Sequence, residues 1–497
     1  MQETTSFFPT KTTRIAALLF IFILGIAIRL VDLTDLPLDF HSTRQLRSAI
    51  KARGMYYEHL TTIDPELRAF ATQQAKVLTT LEPEILENLV AYTYRFTGEQ
   101  LWVARIYSSL FWLIGGIFIY LLARRLTTED GAIAAAAVYL FLPYAVIASR
   151  SFQPDPLMTM FIVMFYWAIY EWTQRSNWKF TILAGLFGGL AIFIKFPAAI
   201  FIGSAGLGAA LSRKTIKEAL KDPQVYAMAL LGILPALAYF LYGRYTGALD
   251  NQFGGRFIPA LFISPSFYIG WINMLNNVTG GVTLMLALLG LFFFDKEKQR
   301  FIFGLWGGYA LFSFYFNFHI HTHDYYSLPL IPITAVSLAP LAGQLLSKLA
   351  EFTQTKFLRL SALFFLLFGI TASLWSTRNQ LTTVDYRPQA EMWAEIKDIT
   401  SIYSLAGLTQ DYGMRATYFG TRYITVWPSY GDLLYSQTRS GAQAEFDKQF
   451  EQVSGKKDFF IVTDFEDLAH QPLLAEALKY YPVFAQGEGY ILYQLQP

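Results

Sequence analysis

The sequence predicts a polytopic α-helical membrane protein of about eleven spans, followed by a small α/β domain. Three observations carry that prediction. The 497 residues are 54% hydrophobic and 17% aromatic but only 15% charged, against about 25% charged in ordinary soluble domains. Apolar runs recur at roughly the 17–22 residues that cross a bilayer as a helix. Past residue 376 the composition changes, and Lys, Asp, Glu and Gln return at globular density.

The apolar runs fall near 14–31, 101–123, 130–149, 156–173, 180–194, 196–212, 225–244, 278–294, 301–318, 327–346 and 358–376. The first follows Lys11 and Arg14 and is closed by Arg29 without a small-residue cleavage site, so it reads as a retained span. The 180–194 and 196–212 runs meet at Lys195-Phe196-Pro197, where the charge and the proline predict a break. Cytoplasmic loops are enriched in Lys and Arg. With the N-terminus inside, every inside connection carries at least two basic residues, among them Arg124-Arg125, Arg213-Lys214 and Lys296/Lys298/Arg300. The outside segments are then a long first loop at 32–100, Ser149–Asp155, the Lys195 turn, a loop at about 245–277, His319–Tyr326 and the tail. In the tail, EMWAEIKDI and LLAEALKYY carry helical periodicity, and DFFIVTDF and YILYQL read as strands. The expected domains are 1–376 in the membrane and 377–497 as a soluble extracytoplasmic α/β domain. Cysteine is absent, which excludes disulfides, zinc-thiolate sites and thiol nucleophiles. A net charge of +2 says nothing by itself of nucleic-acid or acidic partners, and no nucleic-acid partner is expected.

Away from their ends the expected spans carry no Asp, Glu, Lys, Arg or His, whereas a proton-coupled transporter normally holds some at midplane. The unusual polar residues collect at the outer ends: Asp32, Asp35, Asp39, His41 and Arg44, then Arg150 and Asp155, Lys195, Arg256, and the cluster HIHTHDYYSLPL from His319. A site at that depth suits an amphiphile with its head at the membrane surface and its tail in an apolar groove.

Four stretches, in order, resemble the GT-C membrane glycosyltransferases, in the branch of the protein O-mannosyltransferases and the lipid A aminoarabinose transferase. They are LPLDFHSTRQ after the first span, RSFQPDPLM opening a later one, GLAIFIKFPA ending in Lys-x-Pro, and HDYYSLPLIP with its Tyr-x-Leu-Pro. The resemblance covers about residues 14–376 and leaves the tail outside. It implies a GT-C-like fold and an inverting transfer of one sugar from a polyprenyl-phosphate donor to a lipid, glycan or protein acceptor. The setting would be the outer face of the plasma or inner membrane.

In that chemistry a carboxylate takes or orients the acceptor proton, and cationic or hydrogen-bonding groups stabilise the departing phosphate. The resemblance implies Asp39 as the carboxylate. The family often has Asp-Glu there; this chain has Asp39-Phe40-His41, so Asp39 acts alone or His41 assists. The competing reading makes Asp39 the cap of the next helix. Asp155, before Pro156, is either a helix cap or a group that orients the acceptor or holds a cation. The family often shows Lys-Pro-Pro late in the first loop, whereas LEPEILENL puts Glu82 there. Phosphate binding then falls to Arg44, Lys195, Arg256, His323, Tyr325 and Tyr326. Lys195 is alternatively a snorkelling anchor.

HIHTHDYYSLPL has three readings: a phosphate contact through His323–Tyr326, a polar interfacial turn, or a metal site of His319, His321, His323 and Asp324. On a helix His319 and His323 align and His321 does not. No cofactor is expected, a divalent cation being the one alternative. The competing functions are a lipid-linked sugar flippase, which predicts inverted repeats, and an inactive family member acting as a scaffold.

Overall fold

The computed structural model describes residues 5–80, 82–247, 257–440 and 445–496. They group into two compact units. The first draws on 1–33, 80–86 and 103–383; the second on 34–79, 87–102 and 384–497.

In the first unit every apolar run is helical. Lys11–Arg29, Trp102–Leu126, Pro223–Tyr245, Asp324–Phe352 and Lys356–Leu381 are long and apolar enough to cross a membrane, and Pro265–Thr279 with Gly281–Phe293 makes a sixth if that bent pair is one span. The pair turns through 88° at Gly280, whose φ of +75° favours glycine. Part of the loop expected at 245–277 is thus the helix Pro265–Thr279. The break at Lys195–Pro197 separates the helices Trp178–Ile194 and Ala198–Arg213.

Lipid tails are as apolar as leucine, so helices in a membrane associate through close packing. Small residues permit it here. A Cβ on Gly208 would lie 2.7 Å from the Cα of Gly304, on the helix Lys296–Tyr315. The helices Pro223–Tyr245 and Lys356–Leu381 keep Leu241, Phe364 and Phe365 exposed, as lipid-facing surfaces do.

Three buried guanidiniums hold the end of the first span. Arg29 donates to Ser149 Oγ and to the Gly25 carbonyl, both at 2.8 Å. Arg150 donates to the carbonyls of Val31 (2.7 Å) and Asp32 (3.1 Å), and Arg105 to that of Asp32 (3.1 Å). Asp32 has a left-handed φ of +46°, a conformation that persists where its surroundings over-determine it.

The second unit is built on a five-stranded sheet of β1 (Leu405–Leu408), β2 (Ile424–Val426), β3 (Phe459–Val462), β4 (Val483–Gly487) and β5 (Tyr490–Gln494). Its order is β2-β1-β3-β5-β4, parallel through β2-β1-β3 and antiparallel at β5 and β4. Alternate residues feed two cores. Leu405, Phe459 and Ile461 join Trp393 and Ile396 on one face; Ala406, Leu408, Phe460 and Val462 join Trp427 and Leu474 on the other. A side chain at Gly407 would collide with the Ile461 carbonyl, so glycine is required in the middle of β1.

The first loop contributes the helices Ser42–Glu58 and Pro65–Val77 to this unit. A buried network ties it to the tail. The Arg53 guanidinium donates to Glu99 (2.7 Å) and lies 3.6 Å over the Tyr418 ring, while the hydroxyls of Tyr57 (2.6 Å) and Tyr418 (2.5 Å) donate to the same carboxylate. Burial works against the Arg53 charge, but Tyr418 and Glu99 outweigh it and hold its pKa above the ordinary value.

Candidate functional site

In the first unit four expected site residues come together. The helix Asp155–Arg175 starts at Asp155, and the turn after Trp178–Ile194 ends on Lys195. Lys195 Nζ lies 2.8 Å from Asp155 Oδ1, with both side chains almost fully buried. The same ammonium sits 5.0 Å over the Tyr325 ring and 5.3 Å over that of Tyr326, in the range of a cation–π contact. Asp155 makes no capping hydrogen bond, and Lys195 is buried rather than reaching outward. Asp155 is therefore an ion-pair partner and not a cap. Its second oxygen, Oδ2, is buried and has no hydrogen-bond partner among the described residues.

The rings of the histidine stretch divide. His323 N–H donates to the His319 carbonyl at 2.8 Å, so the chain makes one helical turn and the two rings lie 5.4 Å apart. His319 is 5.1 Å from the Tyr326 ring and His323 is 5.8 Å from that of Tyr325. His321 faces elsewhere: its Nδ1 is 2.8 Å from the Asn317 carbonyl, and its ring packs at 5.6 Å on Phe267. The ligand set His319, His321, His323 and Asp324 is not assembled, and among the described residues no three His, Asp or Glu side chains form a metal-holding group. Tyr144, which no sequence motif singled out, interacts with Asp324, Asp155 and Tyr325. In the sequence it is one aromatic in an apolar run, and nothing marks it.

The second unit holds Asp39, His41 and Arg44. Asp39 is half-buried, and its Oδ1 is 3.4 Å from Gln45 Nε2. It does not cap the following helix; the cap position is His41, in a left-handed conformation (φ +43°) and without a side-chain cap bond. Burial, and then the Asp39 carboxylate, raise the Tyr386 phenol above its usual pKa. Arg44 lies half-buried on the first turn of Ser42–Glu58. Glu82 belongs to the first unit and is half-buried. Arg256 lies outside the described residues.

Residues 83–242 match the family model for dolichyl-phosphate-mannose-protein mannosyltransferase. An uncharacterised protein of Aquifex aeolicus is 27% identical over 162 residues, 32% of this chain and 32% of its own, so the chain spans about a third of that relative. Among solved structures, ArnT from Cupriavidus metallidurans bound to undecaprenyl phosphate superposes with a TM-score of 0.57 at 15% identity, covering 97% of each chain. The oligosaccharyltransferase AglB from Archaeoglobus fulgidus, in complex with an inhibitory peptide and a dolichol-phosphate, superposes with a TM-score of 0.54 at 10% identity, covering 97% of this chain and 74% of that one. The chain thus shares the mostly helical membrane fold of these two structures over almost its whole length, and residues 83–242 carry the likeness to the family model.

Proposed function

We propose that the protein is a glycosyltransferase that moves one sugar, with inversion, from a polyprenyl-phosphate donor to an acceptor hydroxyl on the extracytoplasmic face. The observation that carries this reading is the buried Lys195–Asp155 pair beneath Tyr325 and Tyr326. It lies in a fold shared with a protein solved with undecaprenyl phosphate bound.

A lysine ammonium has three donors. Asp155 takes one, which leaves two for phosphate oxygens. Tyr325, Tyr326 and His323 add neutral or cationic donors beside it, and the lipid-facing helices offer the tail an apolar surface. The acceptor oxygen attacks the anomeric carbon. The bond from that carbon to the phosphate oxygen breaks, its electron pair leaves with the polyprenyl phosphate, and the acceptor proton passes to Asp39. Lys195 stabilises the charge that grows on the leaving group. Arg44 and Arg256 remain candidates for the same anion. His41 assists Asp39. Asp155 holds Lys195 in place and keeps Oδ2 for an acceptor hydroxyl. No step is routed through a metal ion, since His321 turns away from His319 and His323.

In this reading the N-terminus is cytoplasmic, and the tail and first loop lie outside, in a plasma or inner membrane. Reporter fusions at Arg125, Lys217 and Lys298 should report cytoplasm, and fusions at Gly98 and after Trp375 the outside. The same reading expects purified protein to release undecaprenyl phosphate from an undecaprenyl-phosphate sugar when given membrane acceptors. A cytoplasmic tail, or no release from any such sugar, would sink the proposal.

A further inference from the structure

We propose that the tail is a positioning element for the segment that carries Asp39, gripping it on both sides through the Tyr386 backbone and the Asp411 carboxylate. The inference rests on the reading of Asp39 as the group that takes the acceptor proton.

Before Asp39, the buried Asp35 carboxylate accepts from the backbone N–H of Leu36 (2.8 Å) and of Tyr386 (3.0 Å), with the Arg387 guanidinium at 3.8 Å. After Asp39, the hydroxyls of Ser42 (2.5 Å) and Thr43 (2.9 Å) both donate to Asp411 Oδ1, and Arg415 Nε donates to Oδ2 at 2.6 Å. These partners are 351 to 369 residues apart in the chain, so no local preference of the 35–43 segment produces them. The two holds bracket Asp39, Phe40 and His41.

Two features separate this arrangement from ordinary packing. The neighbouring helix Pro65–Val77 is capped by its own Asp64, which accepts from Glu66 N (3.0 Å) and Leu67 N (2.9 Å). The helix Ser42–Glu58 has no such residue, and its first-turn hydroxyls turn instead to an acid from the tail, at the end where the helix dipole favours a negative charge. Three non-glycine residues at this junction are left-handed: His41 at φ +43°, Asp411 at +57° and Tyr412 at +54°. Strained backbone of this kind survives where contacts over-determine it, and it gathers at functional sites. The loop and tail are already joined by the Arg53–Glu99–Tyr418 network. The second set of contacts is not needed for attachment, and it fixes where Asp39 stands. Asp411, Ser42 and Thr43 are positioning residues; none is assigned contact with the reacting atoms.

The test uses the full-length purified protein and the variants Asp411→Ala, Ser42→Ala/Thr43→Val, all three changes together, and Asp39→Asn. Amide hydrogen exchange across residues 35–43 is measured with turnover, read as undecaprenyl phosphate released from undecaprenyl-phosphate mannose. Asp411→Ala and Ser42→Ala/Thr43→Val should each speed exchange across 35–43 while β1 and β3 stay protected. Each should lower kcat by about 10- to 100-fold, the scale expected when a catalytic group is displaced by about an ångström, with the donor KM nearly unchanged. The triple variant should be no worse than either, because all three changes remove one contact. Unaltered exchange across 35–43, wild-type kcat, or losses that multiply in the triple variant would overturn the proposal. If Asp411→Ala also loosens the sheet, Ser42→Ala/Thr43→Val decides, since it leaves the tail untouched. Full turnover in Asp39→Asn would instead remove the reading of Asp39, and the exchange data would still judge the grip by themselves. If undecaprenyl-phosphate mannose is not turned over, exchange across 35–43 is the deciding result.

Discussion

The two units hold the charged groups proposed for the site by opposite means. In the first, a buried ion pair is set between apolar helices: Lys195 and Asp155 are buried, and the aromatic faces of Tyr325 and Tyr326 cover the cation. In the second, Asp39 is half-buried on a short irregular segment, and its surroundings are polar: Asp35, Ser42, Thr43, Asp411 and Arg415. A buried pair in a low-dielectric setting depends on having both partners, because a lone buried charge costs several kcal/mol. A half-buried carboxylate can lose a neighbour and stay soluble, but it can then point the wrong way. Damage to the first site should therefore appear as lost stability together with lost binding, and damage to the second as lost rate.

The largest expected effect is at Asp39. Asp39→Asn keeps the shape and removes the charge; transfer should fall by about 10²- to 10⁴-fold, with the melting temperature nearly unchanged. A variant that melts early but turns over normally would reverse the contrast between the units. Next comes Lys195→Met, which leaves Asp155 without its cation. It should cost about 3–5 kcal/mol of stability and abolish undecaprenyl phosphate binding. Adding Asp155→Asn should restore much of the stability and none of the binding, and a double variant that still binds the lipid would show that the pair is only a packing device. Glu99→Gln sharpens the contrast from the other side. It keeps the shape but removes the charge that faces Arg53, and should destabilise by about 1–3 kcal/mol in thermal unfolding, without changing the donor KM. The smallest effects belong to the histidine turn. Tyr325→Phe and His323→Ala should weaken donor use by about tenfold, the loss of one charge-assisted hydrogen bond. His321→Ala should leave donor use alone and slightly lower stability, since its ring packs on Phe267. Equal losses at His319, His321 and His323 with chelator sensitivity would instead favour a metal.

The same contrast explains what could be read from the sequence. Asp155, Lys195, Tyr325 and Tyr326 stood out because polar residues at the ends of apolar runs are rare and costly, and the structure brings those four together. Lys195-Phe196-Pro197 announced its break because proline and a charge interrupt an apolar helix. Two of the tail's helices, Pro388–Ile399 and Pro472–Leu478, and two of its strands were legible from periodicity. β1, β2 and β4 were not: β2 is only 3 residues long, and β1 (LAGL) has neither the β-branched nor the aromatic residues that mark β3 (FFIV). The holds at Asp35 and Asp411 left no trace either. Asp, Ser, Thr and Arg are ordinary at the surface of a soluble domain, and a hydrogen bond across 369 residues has no local signature. The bend at Gly280 was missed because Pro265–Thr279, with Asn273, Asn276 and Asn277, read as part of the outer loop and not as a helix that Gly280-Gly281 turns through 88°.

The most direct measurement of the central claim is the affinity of the purified protein for undecaprenyl phosphate, taken for the wild type, Lys195→Met/Asp155→Asn and Tyr325→Phe. The double variant keeps the fold intact, so binding and stability are read separately. Saturable binding by the wild type, about tenfold weaker binding by Tyr325→Phe and none by the double variant are expected, each with a cooperative melt. Equal affinity in all three would contradict the assignment of the Lys195 cluster as the lipid-phosphate site.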